Sequence, residues 1–408
     1  MLLNRYFRLL QGLVITGVMA GVSGIAMHEA LLFLQRIFYW TTQEDYLLII
    51  QKSSPTHRFL TIIIVSSLVA ICWYVLQKHY TMLSVKKQLT SKELPRFWNQ
   101  FFHAFLQLIF VAAGGPIGKE GAPRELGALF AGQIGNVVHL EPKIRRLLIA
   151  CGAAGGLAAV YQVPISSVLF AFETLAIGVS IFNIVSVSIV VIIATVISRP
   201  LVTGETMYTV HQIHFTFSFV ILLLLGVIVG VLARQFKFLV NTVSKKRKKN
   251  YQLLLSLPVS SIVIGLIAIP YPLILGNGSI LLQTTLNGQT LLNILCYFCF
   301  KAVVVLVAIW SGAYGGTLTP SLALGGLIGE LISFFAMAIG FSVSPPVFIL
   351  AGAAAFLAVT MSAPLTAIGL AIGFTHISPM YMIPISTTVF IAVAYQRIPQ
   401  IYLKKGKR

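Results

Sequence analysis

The chain has 408 residues, 57% of them hydrophobic and 10% charged, with a mean hydropathy of +0.91 and 29 Lys and Arg against 10 Asp and Glu. So apolar a composition excludes an ordinary water-soluble domain and describes a polytopic membrane protein. The basic excess falls in clusters between apolar stretches, which is the pattern of positive-inside topology or an anion-attracting, headgroup-binding surface, and nucleic acid is not an expected partner.

A spanning helix needs roughly 20 apolar residues, and such stretches recur at 9–27, 59–77, 101–117, 179–198, 217–233, 259–275, 291–310, 325–341 and 381–394. The first follows Arg5 and Arg8 and lacks an A-x-A-like cleavage pattern behind it, so it reads as a retained span rather than a signal peptide. Basic clusters at Arg5 and Arg8, 78–92, 143–146, 245–249 and 404–408 mark cytoplasmic ends. The segments 151–174 and 350–373 carry small-residue runs and a central Pro, the pattern of kinked or half-length helices packed inside protein. About fourteen to eighteen helical pieces are expected in all.

One acid interrupts this apolar background. Residues 114–123 read G-G-P-I-G-K-E-G-A-P, so Glu120 stands in a Gly- and Pro-broken segment between two apolar runs. An acid at bilayer depth is costly, and a broken helix survives there only where its freed backbone groups line a protein cavity or a water path. Glu120 is therefore the leading functional residue.

Other motifs carry little. The four cysteines (Cys72, Cys151, Cys296, Cys299) all lie in apolar stretches, so reduced, buried side chains are expected and no disulfide framework follows. Cys296 and Cys299 have C-x-x-C spacing without a second pair or a His cluster. His28 and Glu29 open an H-E-x-x-H pattern that fails at Leu32, where the second metal ligand belongs. No metal site, no cofactor and no nucleophile-and-base set of an enzyme is expected.

The chain repeats itself. Gly152, Ala153, Ala154, Leu157, Ala158 and Pro164 recur as Gly352, Ala353, Ala354, Leu357, Ala358 and Pro364, at 364 − 164 = 200. Gly115, Gly118, Pro123 and Gly132 recur as Gly312, Gly315, Pro320 and Gly329, at 312 − 115 = 197, which sets Glu120 opposite Thr317. A third match, 17–22 with 226–231, lies at 226 − 17 = 209. Two halves, 1–205 and 206–408, follow, and because the first copy starts beside Arg5 and Arg8 while its partner ends at Lys245, they cross the membrane in opposite directions. Inverted copies bring two broken helices together near the midplane. Their N-termini, each with free N–H groups and about half a positive charge, make an anion site without a buried lysine.

At this point the chain resembles the CLC family of chloride channels and proton-coupled chloride antiporters, over nearly all its length. G-K-E-G-A-P at 118–123 is similar to the family's G-[KR]-E-G-P signature with one residue inserted before Pro123. G-G-T-L-T-P at 315–320 resembles G-x-F-x-P with Leu318 in place of Phe. The stretch through Pro164 to Phe172 and Glu173 resembles the family's small-residue helix and its P-x-x-x-x-L-F-x-x-E continuation, and Gly276, Asn277 and Gly278 resemble the G-x-G before the second broken helix. The resemblance implies an all-α, polytopic membrane fold of two inverted-topology repeats with a midplane anion site. It also implies chloride and protons as transported ions, contact with membrane lipid, a homodimer, and the plasma membrane of a prokaryote. Only ten residues follow Ile398 (408 − 398), so the nucleotide-binding CBS domains of many eukaryotic members are not expected, nor is a nucleotide.

By the same resemblance Glu120 is gate and proton acceptor, its carboxylate leaving the anion site on protonation, and Gly118, Lys119, Gly121, Thr317, Leu318 and Thr319 border the anion. A C-terminal Tyr hydroxyl should help hold it; Tyr402 fits best and Tyr395 second. Two departures stand out. The family's G-S-G-I-P is replaced by Y-T-M-L-S-V at 80–85, leaving Ser84 as substitute hydroxyl or plain helix cap. The relay acid of many antiporters falls on Thr174, so an internal proton relay rests on Glu173 and Thr174, or Glu173 is only a helix-end acid reaching solvent. Antiport and gated conduction both stay open. The alternatives are a fluoride/proton antiporter, disfavoured because residues 362–366 lack the acid that fluoride-selective relatives place there, a cation-coupled carrier, for which acids are too few, and a non-transporting membrane scaffold.

Overall fold

The computed structural model describes residues 2–41, 46–91, 93–202, 207–210 and 216–405, the side chains of 2–5 and 397–405 excepted. Before residue 203 the chain forms α1 (Leu2–Tyr39), α2 (Tyr46–Lys52), α3 (Pro55–His79), α4 (Val85–Thr90), α5 (Phe97–Ala112), α6 (Gly121–Val137), α7 (Pro142–Tyr161), α8 (Pro164–Glu173) and α9 (Ile181–Ser198). After residue 215 it forms α10 (Phe219–Lys245), α11 (Tyr251–Ala268), α12 (Ser279–Leu286), α13 (Leu291–Ser311), α14 (Leu318–Ala338), α15 (Pro345–Met361), α16 (Pro364–Thr375) and α17 (Met382–Lys405). The described residues thus hold seventeen α-helices, within the expected range, and no strand beyond one isolated backbone bridge. Among the described residues, eight helices are long and apolar enough to cross a membrane: α1, α3, α7, α9, α10, α11, α13 and α14.

Several expected spans shift, each for a local reason. The stretch 259–275 is not one helix, because α11 starts at Tyr251 and stops at Ala268, just before Pro270 and Pro272, which cannot continue it. The stretch 101–117 ends at Ala112, where Gly114 turns to φ +104, and 325–341 is the later part of a helix that begins at Leu318. Cys72 and Cys299 are exposed on α3 and α13 rather than buried in protein, since much of the apolar surface of these helices is left uncovered by the rest of the chain.

The repeat is visible in the packing. Pro142 opens α7 and Pro164 opens α8, with Gln162 between them at φ 54; Pro345 opens α15 and Pro364 opens α16, with Ser362 between them at φ 58. A left-handed non-glycine residue costs about 1–3 kcal/mol unless its surroundings hold it. Gln162 donates to Ala159 O and Ser198 Oγ, and Ser362 Oγ accepts from Lys237 Nζ at 2.5 Å. The two copies run in opposite senses. α7 starts at the basic cluster of Lys143, Arg145 and Arg146, whereas α15 finishes beside Lys237, near the end of α10 that leads into Lys245–Lys249.

Backbone-to-backbone contact locks each pair of long inner helices. A methyl on Gly127 of α6 would strike the carbonyl oxygen of Gly152 on α7, and the reverse holds too; Gly325 of α14 and Gly352 of α15 interlock in the same way. α7 and α15 are buried along nearly their whole length as a result. Gly127→Ala and Gly325→Ala are each expected to destabilise the detergent-solubilised protein by about 1–3 kcal/mol, the usual cost of overpacking. Thermal unfolding measures this, and an unchanged midpoint in both variants would contradict the interlock.

Candidate functional site: two helix N-termini on one carboxylate

The site is built from helix breaks. α5 ends at Ala112 and the chain runs unwound until α6; α13 ends at Ser311, Gly312 adopts φ +119, and the chain runs unwound until α14. Backbone groups freed in this way must find partners inside the protein. They find each other: Gly118 N–H donates to Gly316 O at 2.7 Å, Gly316 N–H donates to Gly118 O at 3.1 Å, and Gly276 N–H donates to Gly114 O at 2.8 Å. The loop at Gly276 is itself held by Lys301, which is fully buried and donates to Ile274 O and Gly276 O, both at 2.7 Å.

This pairing makes the N-termini of α6 and α14 converge on Glu120, which is fully buried. Glu120 Oε1 accepts the backbone N–H of Leu318 at 2.8 Å, and Oε2 stands 3.5 Å from the Thr319 hydroxyl, at the limit of a hydrogen bond. The carboxylate lies flat against Gly118 and Gly316, where a Cβ on either residue would collide with it. Arg124 Nε donates to Glu120 O at 2.7 Å and fixes the backbone of the first turn. The carboxylate is therefore held at the N-terminal end of α14 by a free backbone N–H.

The other expected residues are distributed unevenly around this point. Gly118, Leu318 and Thr319 touch or face the carboxylate, and Thr317 is the N-cap of α14 without a side-chain cap bond. Gly121 opens α6, where an added Cβ would strike Gln107 Oε1. Lys119 Nζ turns aside to lie 5.8 Å from the centre of the Tyr161 ring. Ser84 is exposed at the N-cap of α4 and its hydroxyl makes no cap bond. The side chain of Tyr402 lies outside the described residues, and Tyr395 lines a surface pocket with Arg234 and Phe238.

Glu173 repeats the theme on α16. Its Oε1 accepts Leu365 N–H at 3.0 Å and its Oε2 accepts both the N–H and the hydroxyl of Thr366 at 2.7 Å, so it caps α16 instead of reaching freely into solvent. Thr174 follows as the C-cap of α8, its buried hydroxyl without a partner.

Three further residues escape a reading of the sequence alone. Glu125, one turn into α6, accepts from Gln100 Nε2 at 3.1 Å and Gln107 Nε2 at 2.9 Å, with His103 Nε2 at 3.8 Å, and ties α5 to α6. Only its place just behind the 118–123 motif could have marked it. Tyr161, at the end of α7 and under Lys119 Nζ, and Tyr208, in a loop, pack against Phe374 with no motif to announce them.

Opposed helical copies whose N-termini meet on a buried anionic group define an inverted-repeat membrane protein with an anion site at the crossing. Residues 65–397 match the family model described as voltage gated chloride channel, and the chain belongs to that family. The H(+)/Cl(-) exchange transporter ClcA of Vibrio campbellii is 27% identical over 388 residues, covering 89% of this chain and 81% of its own. The voltage-gated ClC-type chloride channel ClcB of Escherichia coli O81 is 27% identical over 340 residues, or 80% of each chain. A slow cyanobacterial Cl−/H+ antiporter of known structure matches with a TM-score of 0.80 at 21% identity over 98% of both chains. A CLC-type fluoride/proton antiporter matches at 0.75 and 23% over 95% of both. At these identities the two structures share the fold.

Proposed function

We propose that this protein moves chloride across the membrane and couples it to proton movement, with Glu120 as gate and proton acceptor. The observation that carries this reading is a carboxylate held by the Leu318 N–H in a place where a halide fits the same donor. Ionised, Glu120 competes with chloride for the end of α14. Protonated, it loses its attraction to the helix N-terminus, and the halide takes its place, with backbone dipoles replacing the water around the ion. Gly118, Lys119, Gly121, Thr317, Leu318 and Thr319 border that path, with Ser84 and Tyr402 as candidate hydroxyls toward the cytoplasm. The two relatives named for chloride exchange and chloride conduction support chloride over fluoride. The two-repeat division at 205/206, whose boundary lies outside the described residues, belongs to this reading, as do a homodimer and lipid contact in a prokaryotic plasma membrane.

Glu173 enters as the cap of α16 rather than as a proton relay, because three donors already occupy its carboxylate. Glu173→Gln is expected to lower stability by about 1–2 kcal/mol and to leave the ratio of protons to chloride unchanged. A collapse of proton movement with intact chloride flux would restore the relay.

The test is chloride efflux from proteoliposomes with simultaneous pH recording, and fluoride as a parallel substrate. Uphill proton movement driven by a chloride gradient is expected. Chloride flux without protons would reduce the function to gated conduction; fluoride flux alone, or no flux, would overturn the reading.

A further inference from the structure

Glu125 carries an ionisable group where a neutral amide would hold the same contacts. Its Oε2 accepts from Gln100 Nε2 at 3.1 Å and from Gln107 Nε2 at 2.9 Å. A glutamine at this position could accept both through its carbonyl oxygen and would avoid the cost of an acid inside a membrane protein. Among the described residues no Lys or Arg comes within ion-pair distance to offset that cost; the titratable group facing the acid is His103, whose Nε2 stands 3.8 Å from Oε2. Arg124, beside it in the chain, is turned to Glu120 O, and Arg247 lies over the ring of Tyr314, which meets the His103 ring edge to face.

The acid sits in a row of polar side chains that leads away from Glu120. Gln100, His103 and Gln107 follow at i, i+3 and i+7, so they share one face of α5, and all three are buried. At the inner end the row touches the residue after Glu120: a Cβ on Gly121 would strike Gln107 Oε1 and stand 3.5 Å from Gly316 N. At the outer end Gln100 Oε1 accepts Leu83 N–H at 3.2 Å, and Gln88 Nε2 donates to Leu83 O at 3.0 Å, which joins the row to α4. α4 lies in the basic segment 78–92, whose charge assigns it to the cytoplasmic end.

Two features go beyond a tie between helices. Glu125 Oε1 has no hydrogen bond among the described residues, and the Glu125 side chain is 16% exposed although its partners on α5 are buried. His103 Nδ1 is buried without a partner, a cost that native proteins rarely bear. An open carboxylate oxygen and an unpaired imidazole nitrogen suit a small polar visitor such as water, which carries protons between acids. Glu173 differs in this respect, because both of its oxygens are held at the start of α16.

We propose that Glu125 exchanges protons between the Glu120 carboxyl and the cytoplasmic side, as the internal relay for which Thr174 offers no acid. The proposal rests on proton-coupled transport with Glu120 as proton acceptor. In the step, the O–H bond of protonated Glu120 breaks and water passes a proton to Glu125 Oε1, where an O–H bond forms; Glu125 then releases that proton to water on its exposed side. The amides of Gln100 and Gln107 stay on Oε2 throughout and hold the side chain in both protonation states.

The test is Glu125→Gln in proteoliposomes, with chloride efflux and pH recorded together. Proton movement is expected to fall by about a hundredfold or more, within the usual worth of a positioned proton-transfer group, while chloride flux stays within about twofold of wild type. The unfolding midpoint should stay level or rise, because Gln keeps an acceptor for both amides and a purely structural acid is replaced without loss. Glu125→Asp, which retains a carboxylate, should restore measurable proton movement. An unchanged ratio of protons to chloride in Glu125→Gln, or an equal loss of both ions, would overturn the relay while coupled transport in the wild type stands. Absence of chloride-driven proton movement in the wild type would overturn the coupled-transport reading itself, and the relay with it.

Discussion

Replacing Glu120 with Gln is expected to abolish proton movement while chloride flux persists and no longer varies with pH. The carboxylate reaches its place through one strong contact, the 2.8 Å bond from Leu318 N–H, and through its charge at the positive end of α14. Gln keeps the shape and can still accept that N–H, but hydrogen bonds to charged groups are worth about 1.5–3 kcal/mol and those to neutral groups about 0.5–1.5. The difference, about 1–2 kcal/mol, weakens the side chain's competition with chloride by roughly 5- to 30-fold. Flux near neutral pH should rise accordingly. In the wild type, flux should climb as pH falls, because protonation removes the charge that holds the gate; in Glu120→Gln that slope should vanish. Proteoliposome efflux at acidic and neutral pH, with proton movement recorded in the same vesicles, measures both effects. A variant that still drives protons uphill would place the proton acceptor elsewhere.

Gly316→Ala should have the opposite effect on the same site. A Cβ on Gly316 would collide with Glu120 Oε1 and stand 2.5 Å from its Cδ and 3.0 Å from its Cγ. The backbone at Gly316 is not among the positive-φ glycines, so alanine is tolerated by the chain itself, and the bridge to Gly118 uses only N–H and C=O groups. The methyl therefore displaces whatever occupies the anion position, carboxylate or halide. At the 1–3 kcal/mol usual for overpacking, chloride flux should fall by about tenfold or more. The decisive comparison is the double variant with Glu120→Gln. Removing the gate charge opens the wild-type site but should not rescue Gly316→Ala, since the obstruction is steric. Recovery of flux in the double variant would mean that chloride passes without using the position now held by Glu120.

These two expectations depend on features of different origin. That Glu120 matters, and that a glycine-rich break surrounds it, follows from local sequence: Gly and Pro interrupt helices wherever they fall, and an acid between apolar runs is costly whatever the fold. The residue that would clash with Glu120, Gly316, lies 316 − 120 = 196 positions away and becomes visible only in space. The repeat reading set Thr317 opposite Glu120, while the backbone bridge joins Gly118 to Gly316.

The sequence alone determined the membrane class, an all-helical fold within a range of helical pieces, and the acid at the break. All of these rest on composition, on apolar run length and on residues whose effect is confined to a few neighbours. Tertiary structure alone decided the pairing: that Glu120 caps α14 and Glu173 caps α16, that Glu125 joins α5 to α6, and that Tyr161 and Tyr208 meet on Phe374. Those contacts depend on how closely helices approach one another, and that approach is set by interlocked glycines such as Gly127 with Gly152 and Gly325 with Gly352, whose joint effect no local pattern encodes.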